Sequence, residues 1–473
     1  MLFNSVDFLF IFLPITFFVY FFLNKIKLVQ LSKAWLVLAS LLFYSYWSIK
    51  YLPLILCSML FNYSIGTTLN NPENLKLKIN KKLVLAFGVT SNLLLLGYYK
   101  YFDFFISNTN LVLKSNFNLL HIILPLGISF FTFTQIAYLV DAYKQEVKEA
   151  DFLNYTLFVT YFPHLIAGPI LHHSEMMPQF SKLKNKIINH RNISIGLTLI
   201  IIGLFKKVVI ADNLSPIVHS GFDVAKHLSF LEAWLVSLSY TFQLYFDFSG
   251  YTDMALGISK LFNIHLPENF NSPYKAKNIQ DFWRRWHMTL SRFLRDYIYI
   301  PLGGNRFGEF KTYQNLFTTF ILGGIWHGAA WTFVLWGALH GFALIVHRYW
   351  KTLGFKINNF IAVILTFLFI NFTWIFFRAL NFNDALKIIN GMIGFSGFII
   401  PKTNKLILRF PDGICINWLL LLTVFIIVFA LKNSNEFANK FKPSNLYIII
   451  FAIIGFLSII NLTRVSEFLY FQF

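Results

Sequence analysis

Ten stretches of this chain are apolar enough to be read as bilayer-crossing helices, and that pattern limits the fold more than any other feature. They run over roughly 6–23, 35–49, 52–68, 83–99, 120–141, 194–211, 230–250, 358–377, 415–431 and 445–463. A spanning helix needs about 20 mostly apolar residues. Hydrocarbon offers backbone N–H and C=O groups no partner, so each such stretch must satisfy its own hydrogen bonds as a helix. Composition agrees: hydrophobic residues make up 56% and charged residues 13%, with 58 Phe in 473 residues, whereas soluble domains carry about 25% charge. A soluble globule of this size has no interior large enough for that much apolar surface. Intrinsic disorder is excluded by the same figures. The expected fold is all-α: one polytopic membrane domain over 1–473, with about 10–12 transmembrane helices.

The formal net charge is +19, from 40 basic and 21 acidic residues. In a soluble protein such an excess points to nucleic acid. Between spanning helices it reads instead as cytoplasmic loops facing anionic headgroups. Membrane lipids are therefore expected partners and nucleic acid is not. Lys25, Lys27 and Lys33 follow the first span; Lys76, Lys78, Lys81 and Lys82 follow the third; Lys144 and Lys148 follow the fifth. Placing these loops in the cytoplasm puts the N-terminus outside. Lys432, Lys440 and Lys442 fit the scheme, while Lys402, Lys405 and Arg409 oppose it. The first apolar run has no basic residue before it and no small-residue cleavage site, so it reads as a retained span. Cys57 and Cys415 sit in or beside apolar stretches without metal-ligand spacing, and no metal site is expected.

Three regions depart from simple spans. Residues 152–172 contain Pro163, Gly168 and Pro169 and read as a broken, re-entrant helix, with a kinked ordinary span as the alternative. Residues 316–350 would make a helix of about 52 Å against about 30 Å of hydrocarbon, so a break is expected at Gly323-Gly-Ile-Trp-His-Gly-Ala-Ala-Trp331. Residues 251–313, rich in Arg, Asn, Pro and Trp, read as short amphipathic and re-entrant helices.

An ionisable side chain inside a membrane is costly and marks a functional site by default. His327 lies in an apolar run beside Trp326, near Trp331 and among small residues. Burial disfavours the imidazolium, which leaves a neutral ring able to accept a proton; an interhelical hydrogen bond is the alternative role. In Asp281–Asp296, helical spacing puts Arg284, His287 and Ser291 on one face, with Arg285 and Arg292 in a neighbouring row. Such arginines can fork a phosphate on a nucleotide-bearing acyl carrier, and equally suit an interfacial helix snorkelling to lipid. Asp247 and Asp253 flank the end of a span and can order the basic segment through ion pairs. No serine-nucleophile elbow, Walker loop or dinucleotide fingerprint is present.

Four blocks together resemble the membrane-bound O-acyltransferase family, in particular its bacterial polysaccharide O-acetylation branch. They are Leu124–Phe133 with Tyr138–Tyr143; Phe162-Pro-His-Leu-Ile-Ala-Gly-Pro169; Phe246–Gly257 running on to Asn269-Phe-Asn-Ser-Pro273 and Phe282-Trp-Arg-Arg-Trp-His287; and Tyr299–Gly304 with Gly323–Trp331. The likeness covers nearly the whole chain. It implies a helical fold around a tunnel through the inner membrane, with His327 as catalytic base at mid-membrane and His287 as the family's second histidine. It places Trp283, Arg284, Arg285, Trp286, Trp326, Trp331, Asp247, Asp253 and Asn269 along the tunnel or at the donor. No bound cofactor is implied. Acetyl-CoA is the expected donor substrate, a periplasmic SGNH-type acetyltransferase or esterase the expected partner, and a polysaccharide such as peptidoglycan or an alginate-like polymer the final acceptor. D-alanyl transfer to teichoic acid, an acyl or lipid transporter, and a scaffold for an external transferase are the competing readings.

Overall fold

A computed structural model of the protein describes residues 1–70, 80–147, 151–166, 168–398, 414–463 and 469. The expectations for Lys76, Lys78, Lys148, Lys402, Lys405 and Arg409 lie outside the described residues, as does the Cys415 side chain. Every regular element among the described residues is a helix. They form two compact units: residues 1–200 with 251–267, and residues 201–250 with 268–473.

The first unit contains α1 (Leu13–Lys25), α2 (Val29–Ser45), α3 (Leu52–Asn70), α4 (Lys81–Leu96), α5 (Phe102–Leu113), α6 (Ile128–Tyr143), α7 (Phe152–Thr160), α8 (Phe162–Leu165), α9 (His173–Ser181) and most of α10 (His190–Leu204). Side-chain amides join three of these helices. Asn62 on α3 donates to Gln135 on α6 at 2.6 Å and exchanges hydrogen bonds with Asn92 on α4 at 3.1 and 2.6 Å. Lipid-phase helices have little hydrophobic drive to associate, so paired amides and close packing hold them. The 120–141 span is corrected: helix begins only at Ile128, because Pro125 and Gly127, at φ +68°, interrupt the approach. Nearly all of α6 is buried inside the unit. Region 152–172 is broken as expected, with Tyr161 at φ −48° and ψ 108° separating α7 from α8.

The second unit contains α11 (Asp212–His219), the first part of α12 (Phe230–Leu261), α13 (Ile279–Trp283), α14 (Met288–Leu294), α15 (Gly308–His327), α16 (Trp331–Thr352), α17 (Asn359–Arg378), α18 (Phe382–Ile393) and the apolar helix Ile414–Ala430. Residues 251–261 continue α12 rather than forming a short helix, so the irregular segment starts later than the sequence suggests. Asn278 caps α13 by accepting the Asp281 N–H at 2.8 Å, and Asn358 caps α17 by accepting the Phe360 N–H at 2.8 Å. The expected break in 316–350 is present: α15 stops at His327, Gly328 and Ala330 are extended, and α16 starts at Trp331. The two helices form a tight hairpin. A Cβ on Gly337 would strike the Phe320 carbonyl oxygen, and one on Gly324 would strike that of Phe333. Only glycine permits that crossing.

Among the described residues, five helical stretches are long and apolar enough to cross a membrane: Phe8–Lys25, Ile49–Asn70, Lys81–Leu113, His190–Val224 and Asn359–Arg378. Three shorter apolar helices, Val29–Ser45, Ile416–Ala430 and Asn445–Ile460, accompany them.

Candidate active site

The second unit gathers His327, His340 and His287 around a core of tryptophans. His327, the last residue of α15, is buried. Its ring packs edge to face on Trp336 at 5.1 Å and on Phe377 at 5.1 Å, with Trp326 at 4.9 Å. The helix ends at His327 because the next residues are extended, so the imidazole sits at the turn of the α15–α16 hairpin.

His340 lies two turns inside α16 and is fully buried. Its Nδ1 accepts the Trp283 indole N–H at 3.2 Å. Nε2 then carries the proton and donates to Thr373 Oγ1 at 3.1 Å. Both ring nitrogens are thus used in holding Trp283 and α17 to α16.

His287 departs from expectation. Residues 281–296 are not one helix: α13 ends at Trp283, α14 begins at Met288, and His287 between them has φ +42° and ψ 53°. Arg284, His287 and Ser291 therefore do not share a helical face. The left-handed turn buries the His287 ring completely. Its Nδ1–H donates to Asn269 Oδ1 at 3.1 Å, which also accepts from the Thr289 hydroxyl at 2.9 Å. Phe248 meets the ring edge-on at 4.9 Å, and Trp326 lies 6.5 Å away. Burial pushes the His287 pKa down from 6.5 to about 3, so the imidazole is neutral at physiological pH. Trp326 touches both histidine rings, which brings together the two residues that the sequence placed 40 positions apart.

Beside this core lies a cavity of about 510 Å³. Arg284, Arg292, Arg295, Arg348 and Lys351 line it with positive charge; Trp283, Met288, Leu316, Phe320 and Leu344 line it with apolar surface. Trp283 is shared with the histidine core through its bond to His340. Arg295 is forked by Asp296 at 2.7 and 3.1 Å, and Arg348 by Glu309 at 2.7 and 2.8 Å. A mixed cationic and aromatic wall suits a phosphate-bearing molecule with an extended apolar arm.

Other expected positions fall elsewhere. Arg285 is held by Asp281 at 2.8 Å and does not line the cavity. Trp286 is buried among Trp374, Phe270 and Phe282. Trp331 opens α16 and is exposed. Asp247 pairs with Lys207 at 2.5 Å, Lys207 also holds Asp212 at 2.9 Å, and the Leu469 N–H donates to Asp247 at 3.2 Å. Lys207 lies outside the basic segment 251–313 that Asp247 was expected to order. Asp253 is buried in the first unit. Among the described residues no cluster of metal-ligating side chains occurs. The sequence reading missed Arg348 and Lys351, although Leu344, Arg348 and Lys351 recur at helical spacing along one face of α16.

A model of the membrane-bound O-acyltransferase family matches residues 39–383, and the chain belongs to that family: it is a multi-pass membrane O-acyltransferase. Among its relatives, the peptidoglycan O-acetyltransferase of Helicobacter pylori is 48% identical over 100% of this chain and 98% of its own length. The probable alginate O-acetylase AlgI of Pseudomonas aeruginosa is 38% identical, covering 86% of this chain and 77% of its own. The teichoic acid D-alanyltransferase of Bacillus subtilis is 29% identical over 54% of this chain and 69% of its own length.

Proposed function

We propose that this protein moves an acetyl group from acetyl-CoA across the membrane for O-acetylation of a cell-surface polysaccharide, peptidoglycan foremost, with His327 as general base towards the hydroxyl that receives the group. The observation that carries this reading is a buried histidine at a helix break, joined through Trp336, His340 and Trp283 to a cationic cavity. The 48% identity to a peptidoglycan O-acetyltransferase over the full chain supports the acceptor class. The protein resides in the inner membrane, and a periplasmic SGNH-type partner carries the group on to the polymer.

The cavity suits the nucleotide of the donor: Arg284 and Lys351 meet phosphate, and the apolar wall by Trp283 and Phe320 meets the pantetheine arm. His327 accepts the proton of the acceptor hydroxyl as its oxygen attacks the thioester carbonyl. The tetrahedral adduct collapses, the C–S bond breaks, and the imidazolium returns the proton to the departing thiolate. A positioned base of this kind contributes about 10²–10⁴-fold.

The test is base-released acetate from purified cell wall and exopolysaccharide. A deletion strain is complemented with wild type or His327→Ala at matched membrane expression. Acetate restored by wild type alone is the expected result and names the polymer. Acetate restored by both removes His327 from catalysis. No change in either polymer, with D-alanine esters lost instead, selects the D-alanyl reading that the Bacillus subtilis relative represents.

A further inference from the structure

The general base accounts for the proton, but the tetrahedral adduct also places a full negative charge on the former carbonyl oxygen. Low-dielectric sites stabilise such charge with preorganised donors. Trp336 on α16 is 1% exposed, and its indole N–H has no hydrogen-bond partner. A buried donor left unsatisfied is costly, and native interiors satisfy the great majority of such groups.

Most of the surrounding rings cannot accept that hydrogen bond. Trp336 is enclosed by the rings of His327, Trp283, His340, Trp374 and Phe377, at centroid distances of 5.1, 5.8, 4.7, 5.8 and 5.1 Å. The carbon rings offer only π faces, which are weak acceptors. His340, the nearest ring, has no lone pair to give, because Nδ1 accepts from Trp283 and Nε2 donates to Thr373. Trp283 takes the His340 acceptor, and the Trp336 indole, its N–H without a partner, packs with its ring 5.1 Å from that of the proposed base.

We infer that the Trp336 indole N–H is a catalytic hydrogen-bond donor that stabilises the oxyanion formed when the acceptor hydroxyl attacks the thioester. The inference rests on His327 being the base. During reaction the N–H accepts no proton and loses none; it shortens its contact to the carbonyl oxygen as charge develops there and relaxes when the C–S bond breaks.

The experiment uses membranes in which the wild-type full chain forms base-labile acetyl esters from added acetyl-CoA. Trp336→Phe and benzothienylalanine at position 336 are compared with wild type; the second keeps both fused rings and removes only the N–H. The expected result is a fall in kcat of about 10²-fold or more in both variants, with little change in KM for acetyl-CoA and an undiminished melting temperature for the benzothienylalanine protein. Near-wild-type kcat in the benzothienylalanine variant overturns the inference, even if Trp336→Phe is inactive, because packing alone then explains the tryptophan. His327→Ala is measured alongside. If it is active, the base assignment falls and this inference with it. If it is inactive while both position-336 variants turn over normally, only this inference falls.

Discussion

At the scale of single residues, three of the histidines in the second unit show how the same side chain is assigned different work by its backbone. His327 sits where a helix stops, His340 is locked by bonds at both nitrogens, and His287 is turned inward by a left-handed φ of +42°. Burial of a neutral imidazole has a measurable cost in acid. The unfolded chain protonates His287 near 6.5, while the folded pKa is about 3. The unfolded state therefore binds more protons between those values, and stability falls as pH drops through that window. Thermal unfolding in detergent is expected to show a melting temperature declining from pH 7 to 5, less steeply in His287→Gln. An equal slope would mean that other groups govern acid sensitivity. His327 was legible in the sequence because an ionisable residue inside an apolar run is conspicuous. The His287 conformation was not, since a single positive φ at a non-glycine residue leaves no periodic trace and arises from the Asn269 and Thr289 contacts around it.

The elements tell a similar story through helix ends. The break between α15 and α16 was legible because Gly323–Trp331 concentrates small residues where a single helix would overrun the bilayer. The false helix across 281–296 had good amphipathic spacing, yet His287 interrupts it to bury its ring. Helical periodicity reports which residues could share a face, not whether the backbone remains helical between them. The α15–α16 hairpin depends on the Gly324–Gly337 crossing. Gly337→Val would push the helices apart at Phe320 and is expected to destabilise the unit by about 1–3 kcal/mol. It would also misplace Trp336 and His327, so acetyl transfer should fall by more than the folded fraction does. A melting curve and an ester assay on the same membranes separate the two losses. On the cavity wall, Arg284→Ala is expected to raise KM for acetyl-CoA several-fold with a smaller effect on kcat. An unchanged KM would remove this cavity as the donor site.

For the whole molecule, the ten apolar stretches predicted the helical membrane class, and the family match agrees with it. Composition could not show the long α12, which carries Asp247, Phe248 and Asp253 through a stretch that looks like the edge of a span. Nor could it show that α6 is buried inside a unit instead of facing lipid, because an apolar helix reads alike in both settings. The net charge of +19 was legible as a membrane trait but said little about the cationic cavity, whose arginines come from α14, the residues around it, and the far end of α16.

That cavity is nearer electrical balance than its roster of cations implies. Glu309 and Asp296 already neutralise Arg348 and Arg295. Long-range attraction of an anionic donor is correspondingly damped, and screening by salt has less to remove than it would at an uncompensated basic site. Selection among anions then rests on short-range contacts: a ligand that meets Arg348 uses N–H groups the Glu309 fork leaves and shares the cation with that carboxylate. Inorganic phosphate and other small anions gain less there because they lack an arm to bury against Trp283 and Phe320. On the proposed reading, the cavity discriminates its donor from competing phosphates by that apolar arm.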